Sequence, residues 1–496
     1  MRTSARPQGM KTSVASLSLR LRLTAPLAWA AILGLIALTL GGLAMQVGIL
    51  LQLLYPLAAC AVGGLLYWRY PTLYLGFTWW VWFLTPEVRR LVDYQQGWTP
   101  SSPVMLAPYL VTALTLFTLL RHLPKLRLHP FLPFGLVLLA LFYGYIIGIS
   151  RGQGVFAASF DLLDWLVPVV FAFYLMVHWR SYPRHLRVIQ RTFVWGILFV
   201  GLYGLLQFLY VPAWDRFWML NAPIASIGYP EPFEVRVFST LNAPGPFAVM
   251  MMAGLLLLFS ERGVLRWLAA GPGYAAFLLS LVRSAWGGWM VGVFFLLVRT
   301  RGPRRLRLLA GIVFLGALLP FIAVGPVTQI VNARFQTFGS LGTDVSLRAR
   351  ISAYEQVLPD SALNFLGEGL GSTGVASGLA SSGVPQGGYD SGIINIFITL
   401  GSVGAVFYAF GMAMLFASAF PRRRPPGGFL VTVYSVAISV LAQLAFFSAH
   451  VGVTGMLLWG FLGLTLAGQM HARHNLLVKD RADDAAGAWP SLRKSG

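Results

Sequence analysis

The chain has 496 residues, of which 57% are hydrophobic and 11% charged, and its mean hydropathy is +0.70. A soluble domain of this length does not reach that apolar content, so the composition excludes a soluble enzyme and describes a polytopic membrane protein. The net charge of +21 does not imply a nucleic-acid partner, because the basic residues sit in short loops between apolar runs, where they act as orienting charges.

The basic segment 1–24 leads straight into an apolar run without a convincing cleavage site, and reads as an uncleaved cytoplasmic segment. Fourteen candidate spans follow, at roughly 25–44, 47–68, 72–86, 104–120, 131–150, 163–179, 192–210, 244–260, 265–282, 284–298, 308–325, 390–418, 428–447 and 451–469. The third and tenth are short and the first two are almost continuous. The expected fold is therefore an all-α transmembrane helix bundle of about 12–14 spans filling 25–469. The single Cys60 lies in a span, which rules out an intrachain disulfide and a cysteine-based metal site. There is no coiled-coil heptad and no strong repeat.

Charge tests the map independently. With the first segment in the cytoplasm, the loops 121–127, 180–191, 299–307 and 422–424 are basic and all fall on the cytoplasmic side, as do Lys11, Lys125, Lys479 and Lys494. Both termini are then cytoplasmic, and the polar tail 470–496 is expected to be disordered. Two long connectors fall outside, 211–243 and 326–389. The second is Gly- and Ser-rich after Gly367 and is expected to contain short helices and to close over a site.

Four stretches on that side carry candidate chemistry. The first is Arg236-Val-Phe-Ser-Thr-Leu-Asn-Ala-Pro-Gly-Pro-Phe247, which puts an arginine, hydroxyls and the Asn242 amide at the mouth of a span. The second is Leu281-Val-Arg-Ser-Ala-Trp286. Arg283 interrupts an otherwise uncharged run over 268–298, so Arg283 and Ser284 belong in a tight turn between two spans. An arginine there either snorkels to the headgroups or serves a site. The third runs from Ser346 to Leu358, where Leu347, Ile351, Tyr354 and Leu358 recur at helical spacing. It predicts an amphipathic surface helix from which Arg348 and Arg350 project. The fourth, Gly387-Gly-Tyr-Asp-Ser-Gly392, places Asp390 at the start of the twelfth span, as a helix cap or as a base. His450, between the last two spans, reads as an interfacial residue.

Arginine suits phosphate because its planar fork makes bidentate, charge-assisted hydrogen bonds and stays protonated. Several arginines on one side of a membrane suit a lipid-linked pyrophosphate, and a nearby acid suits proton abstraction from a hydroxyl. There is no Asp-x-Asp nucleotide-sugar motif, no phosphate-binding Gly-rich loop after a strand and no metal-ligand cluster, so nucleotide sugars, ATP, a cofactor and an obligatory metal are not expected.

The order and spacing of these stretches resemble the O-antigen ligase and polymerase superfamily, also known as the Wzy-type C-terminal domain, over about residues 190–420. The family's arginine with an Asn-Pro-like stretch corresponds here to Arg236 through Asn242, with Ala243 inserted before Pro244. Its Ser-Arg before a glycine-rich span corresponds to Arg283-Ser284 in reversed order. Its arginine-led helix followed by Gly-x-Gly corresponds to Arg350 and Tyr354, then Gly367, Gly369 and Gly371. Its closing His-Asn with two later glycines corresponds to Asp390-Ser391 with Gly401 and Gly404.

The resemblance implies a bacterial inner-membrane glycosyltransferase that takes glycan from an undecaprenyl-pyrophosphate donor to a hydroxyl on a glycan or lipid acceptor at the outer face. Arg236, Arg283 and Arg350 would stabilise the leaving pyrophosphate with Arg348 as an auxiliary, Asp390 would be the base, and Tyr354, Asn242 and Ser284 would contact substrate. Ligases of the family carry histidine where this chain has Asp390, so the match is nearer to its polymerases, and cell-wall SEDS glycosyltransferases also use an outer-loop aspartate. The competing expectations are a transporter or flippase of the same lipid-linked glycan, which would place ionisable groups at mid-membrane, and a structural membrane protein.

Overall fold

The computed structural model describes residues 25–261, 263–302, 305–306, 308–309, 312–313, 345–379, 390–421 and 428–487. The expected first segment, most of the span at 308–325 and the stretch 387–389 before Asp390 lie outside them. The fold is an all-α polytopic bundle, with no strand among the described residues beyond one bridge between Gly228 and Val235. Eight helices are long and apolar enough to cross a membrane, and two further apolar helices are shorter.

In chain order the helices are α1 (Pro26–Ala44), α2 (Gly48–Arg69), α3 (Pro71–Gln96), α4 (Leu106–Ala113), α5 (Leu116–Arg121), α6 (Leu132–Ser150), α7 (Val155–Val177), α8 (Tyr182–Tyr210), α9 (Ala213–Asn221), α10 (Pro244–Leu258), α11 (Leu265–Leu279), α12 (Arg283–Arg299), α13 (Val345–Leu363), α14 (Gly374–Ser377), α15 (Gly392–Ala419), α16 (Phe429–Ala442) and α17 (Gly452–Gly487). Proline opens α1, α3 and α10, where its missing N–H costs nothing. α15 lies along α6, α17 along α7 and α11 along α8. The core is aromatic at its centre: Trp79 is fully buried and meets Phe193 and Phe171 edge-on, at ring separations of 5.0 and 5.9 Å. α1 and α2 sit at the edge and expose Leu33, Leu40, Leu53 and Leu57, the composition of a lipid-facing surface.

Four helices run beyond the limits that hydropathy predicts. α3 continues past 86 to Gln96, α7 begins at Val155 instead of 163, α8 at Tyr182 instead of 192, and α17 extends to Gly487 through the tail expected to be disordered. In α3, α7 and α17 protein contacts hold polar residues that would otherwise end the apolar segment. Arg90 pairs with Asp215 at 2.8 Å, Asp161 accepts the Gly371 N–H at 2.8 Å, and the rings of His474 and His471 lie 5.2 and 6.4 Å from Trp179. The expected fourth span divides at Leu114 and Thr115 into α4 and α5.

α15 is broken at Gly401, whose φ of 61° and ψ of 179° lie outside the range of a helix and of most side-chain-bearing residues. The segment after α13 enters the bundle and seals the break. The Glu368 and Gly369 N–H groups donate to the Ile398 and Thr399 carbonyls at 2.8 and 2.9 Å, and Ser402 N–H donates to Asn364 O at 3.1 Å. Non-helical backbone within a membrane bundle is stable where it is buried and paired in this way. Leu370 N–H donates to Gly144 O on α6 at 2.9 Å. A Cβ on Gly369, at φ +80°, would lie 2.0 Å from the Gly148 backbone nitrogen, so only glycine fits between this segment and α6.

Candidate functional site

The candidate residues gather at the end of the bundle where α10, α12, α15 and α17 begin. The N-terminal turn of each helix turns a partial positive charge toward that end, which favours anions there.

The first stretch is shaped by a buried network. Arg90 on α3 is fully buried, pairs with Asp215 and Glu87, donates to the Ser239 carbonyl and lies 4.8 Å over the Phe238 ring. Gln207 on α8 accepts from the Phe238 and Ser239 N–H groups at 3.0 and 2.8 Å and donates to Asp215 at 2.8 Å. The Tyr203 hydroxyl lies 2.9 Å from both Glu87 and Asp215, and Trp214 donates to it at 2.7 Å. Together these clamp a backbone whose Ser239 has φ +51°. Removing Arg90 would leave two acids buried beside each other, at about 3–5 kcal/mol.

Held in this way, the first stretch meets the second. Arg236 donates to the Ser280 and Leu281 carbonyls at 3.3 and 3.1 Å, and Val237 N–H donates to Leu279 O at 3.1 Å. Arg236 thus fixes the turn that precedes Arg283. Arg283 is the first residue of α12 and is half-buried. Asn242 turns elsewhere: its side-chain amide donates to the Met105 sulfur at 3.7 Å and its backbone carbonyl accepts from the Trp218 indole.

The third and fourth stretches also meet. The third stretch forms α13, but the expected apolar face is not the buried one: Ile351 is exposed, while Arg350 turns to Asp390 at 3.5 Å. One turn along, the Tyr354 hydroxyl donates to Ala445 O at 3.0 Å and lies 2.7 Å from the Ser391 hydroxyl. Ser391 in turn accepts from Ile394 N–H and is the N-cap of α15. The capping role expected of Asp390 therefore falls to Ser391, and the Asp390 side chain, 75% exposed, turns to Arg350. Arg348 lies on the exposed side of α13.

The hub that joins these pairs was not marked by any motif. It is the turn 443–450 between α16 and α17. Gln443 donates to Ser284 O at 3.0 Å, Ala445 O receives Tyr354, and the Ser448 hydroxyl accepts from Asn395 at 2.6 Å. The turn presses directly on the start of α15: a Cβ on Gly392 would lie 2.9 Å from Phe447 O and 3.1 Å from His450 Nδ1. His450, expected at the interface, is 1% exposed and packs on Trp165 with ring centroids 4.2 Å apart. Burial pushes its imidazole down to about 3, so it stays neutral near pH 7. The hub is built from backbone carbonyls and neutral side chains, which leave no charge pattern in the sequence. His450 was its one visible signal.

Hydrogen bonds through the 443–450 turn link an exposed carboxylate and its arginine partner to the arginine-headed N-terminus of α12. A carboxylate beside an arginine suits an anionic group held next to a proton acceptor. Comparison with known protein families, with characterised proteins and with solved structures finds no match for this chain.

Proposed function

We propose that this protein is a membrane glycosyltransferase of the O-antigen ligase and polymerase type, which transfers or polymerises glycan from an undecaprenyl-pyrophosphate-linked donor onto a hydroxyl acceptor at the outer face. The observation that carries this reading is the Arg350–Asp390 pair at 3.5 Å, joined through Tyr354, the 443–450 turn and Ser284 to the Arg283 end of α12. The motif order set out above supports it, and the alternation of basic loops supports an outer site with both termini in the cytoplasm.

In this reading the acceptor hydroxyl attacks the anomeric carbon of the donor sugar. Asp390 takes the hydroxyl proton, the new C–O bond forms, and the bond to the phosphate oxygen breaks with its electron pair leaving on pyrophosphate. Arg283 and Arg350 offset the developing negative charge, and fixed charge of this kind is usually the largest catalytic contribution. Arg236 holds the turn that aims Arg283. Arg348 is an auxiliary cation.

A transporter of the same lipid-linked glycan is the second reading, favoured by the break in α15, since transporters often bind substrate at broken helices. Against it, the Ile398 and Thr399 carbonyls at the break already accept from Glu368 and Gly369. Transfer by the purified chain in detergent, dependent on Asp390 and Arg283, separates the two, because no membrane remains to be crossed.

A further inference from the structure

Arg350 has two claimants in the proposed reaction. In the structure its guanidinium faces the Asp390 carboxylate at 3.5 Å, and during transfer it would face the donor's pyrophosphate. One guanidinium does not hold both at full strength. We propose that the Arg350–Asp390 ion pair is a resting lock that the donor opens: the pyrophosphate takes Arg350, and the released Asp390 carboxylate becomes the proton acceptor. This rests on the glycosyltransferase reading above and adds an order to it, with donor binding before base release.

Three features of the site support the exchange. The existing pair is loose: 3.5 Å is long for a charge-assisted hydrogen bond, the carboxylate side chain is 75% exposed, and an exposed pair contributes little. Arg350 is also half-buried, with its Nε out of reach of solvent, so a donor phosphate must take the same end of the fork that Asp390 now faces. Finally, the exchange needs no helix movement. Tyr354, one turn from Arg350, anchors α13 to Ser391 and Ala445 O. Because Ser391 caps α15, Asp390 is free to turn away without uncapping the helix. The lock holds the carboxylate on Arg350 while no donor is present, and donor binding places the freed base and the sugar it serves together.

Linkage makes the idea sharp. If the pyrophosphate must displace Asp390 from Arg350, then Asp390 weakens pyrophosphate binding by the same factor. The variant that loses its proton acceptor, Asp390→Asn, should therefore bind donor more tightly than the native chain.

The test is equilibrium binding to purified full-length protein in detergent, with inorganic pyrophosphate and then farnesyl diphosphate as probes. Four proteins are compared: native, Asp390→Asn, Arg350→Gln and the double variant. Asp390→Ala serves as a second removal of the same charge, and size-exclusion profiles confirm that each protein is folded. The expected result is tightening by Asp390→Asn of about fivefold or more, the lower end of site-to-site coupling, with none in the Arg350→Gln background. Unchanged affinity in both Asp390 variants would overturn the lock while native binding left the glycosyltransferase reading standing. Equal tightening with and without Arg350 would also overturn it, because Asp390 would then act on the anion directly. Absence of binding to all four proteins would overturn the lock together with the reading on which it rests.

Discussion

The Arg236 guanidinium donates to the Leu281 carbonyl at 3.1 Å, and so ties the first arginine-bearing stretch to the turn that ends in Arg283. Its second bond goes to the neighbouring Ser280 carbonyl at 3.3 Å. Leu281 has φ +55°, a conformation that a leucine does not hold without support. Arg236→Met removes both donors and leaves two carbonyls in a partly buried site. Each hydrogen bond from a charged donor contributes roughly 1.5–3 kcal/mol. Thermal unfolding of the purified variant should therefore begin at a clearly lower temperature than that of the native chain. An unchanged transition would mean that the turn stands without Arg236.

Gly369→Ala tests the seal at the broken helix. The alanine Cβ would meet the Gly148 backbone nitrogen, at a φ that itself costs a side-chain-bearing residue roughly 1–2 kcal/mol. The variant should fail to accumulate as a monodisperse protein, while Gly374→Ala, also at positive φ but with no atom within 4 Å, should accumulate. Equal yields of the two would show that the segment is not lodged against α6.

The helices were legible in the sequence because a lipid-facing or core helix announces itself by an apolar run long enough to cross a bilayer. The misplaced helix ends have one cause: hydropathy ends a span at its first charges, whereas the protein carries charges onward when they have partners. Hydropathy puts Glu87 and Arg90 in a loop, because their partners Asp215, Tyr203 and Ser239 are remote in sequence. The motif order puts Arg350 and Asp390 in one site, but nothing in it shows that they pair. Asp390 and Ser391 are equally plausible caps on paper, and only the hydrogen bond from Ile394 to Ser391 decides between them. The Gly401 break was invisible as well, because a single glycine in an apolar run has many uses.

His450 gives the chain an acid sensitivity of known sign. The unfolded imidazole takes a proton near its ordinary 6.5, but the buried one only near about 3. Between these values the unfolded state binds the extra proton, so stability falls as pH falls. His450→Phe preserves the ring against Trp165 and removes that titration. The variant's melting temperature should decline less than that of the native chain between pH 6.5 and about 3. Parallel decline would show that His450 is protonated in the folded protein.

Topology is tested by cysteine labelling in intact cells, with Cys60 replaced first. Cysteines at exposed Glu355 on α13 and Tyr229 should react with an impermeant reagent added outside, and one at exposed Asn475 on α17 should react only after lysis. The opposite pattern would reverse the map and move the site to the cytoplasm.

The most direct measurement is glycan transfer by purified protein in detergent, from an undecaprenyl-pyrophosphate-linked donor to a soluble or lipid acceptor. The native chain should form product. Asp390→Asn keeps size and shape but loses proton acceptance, so its rate should fall by roughly the 10²–10⁴-fold typical of a lost general base. Arg283→Ala should also be inactive, and Arg283→Lys poor, because a point charge does not replace a planar fork. Absence of product from the native chain with every donor and acceptor pair, or full activity in Asp390→Asn, would contradict the account.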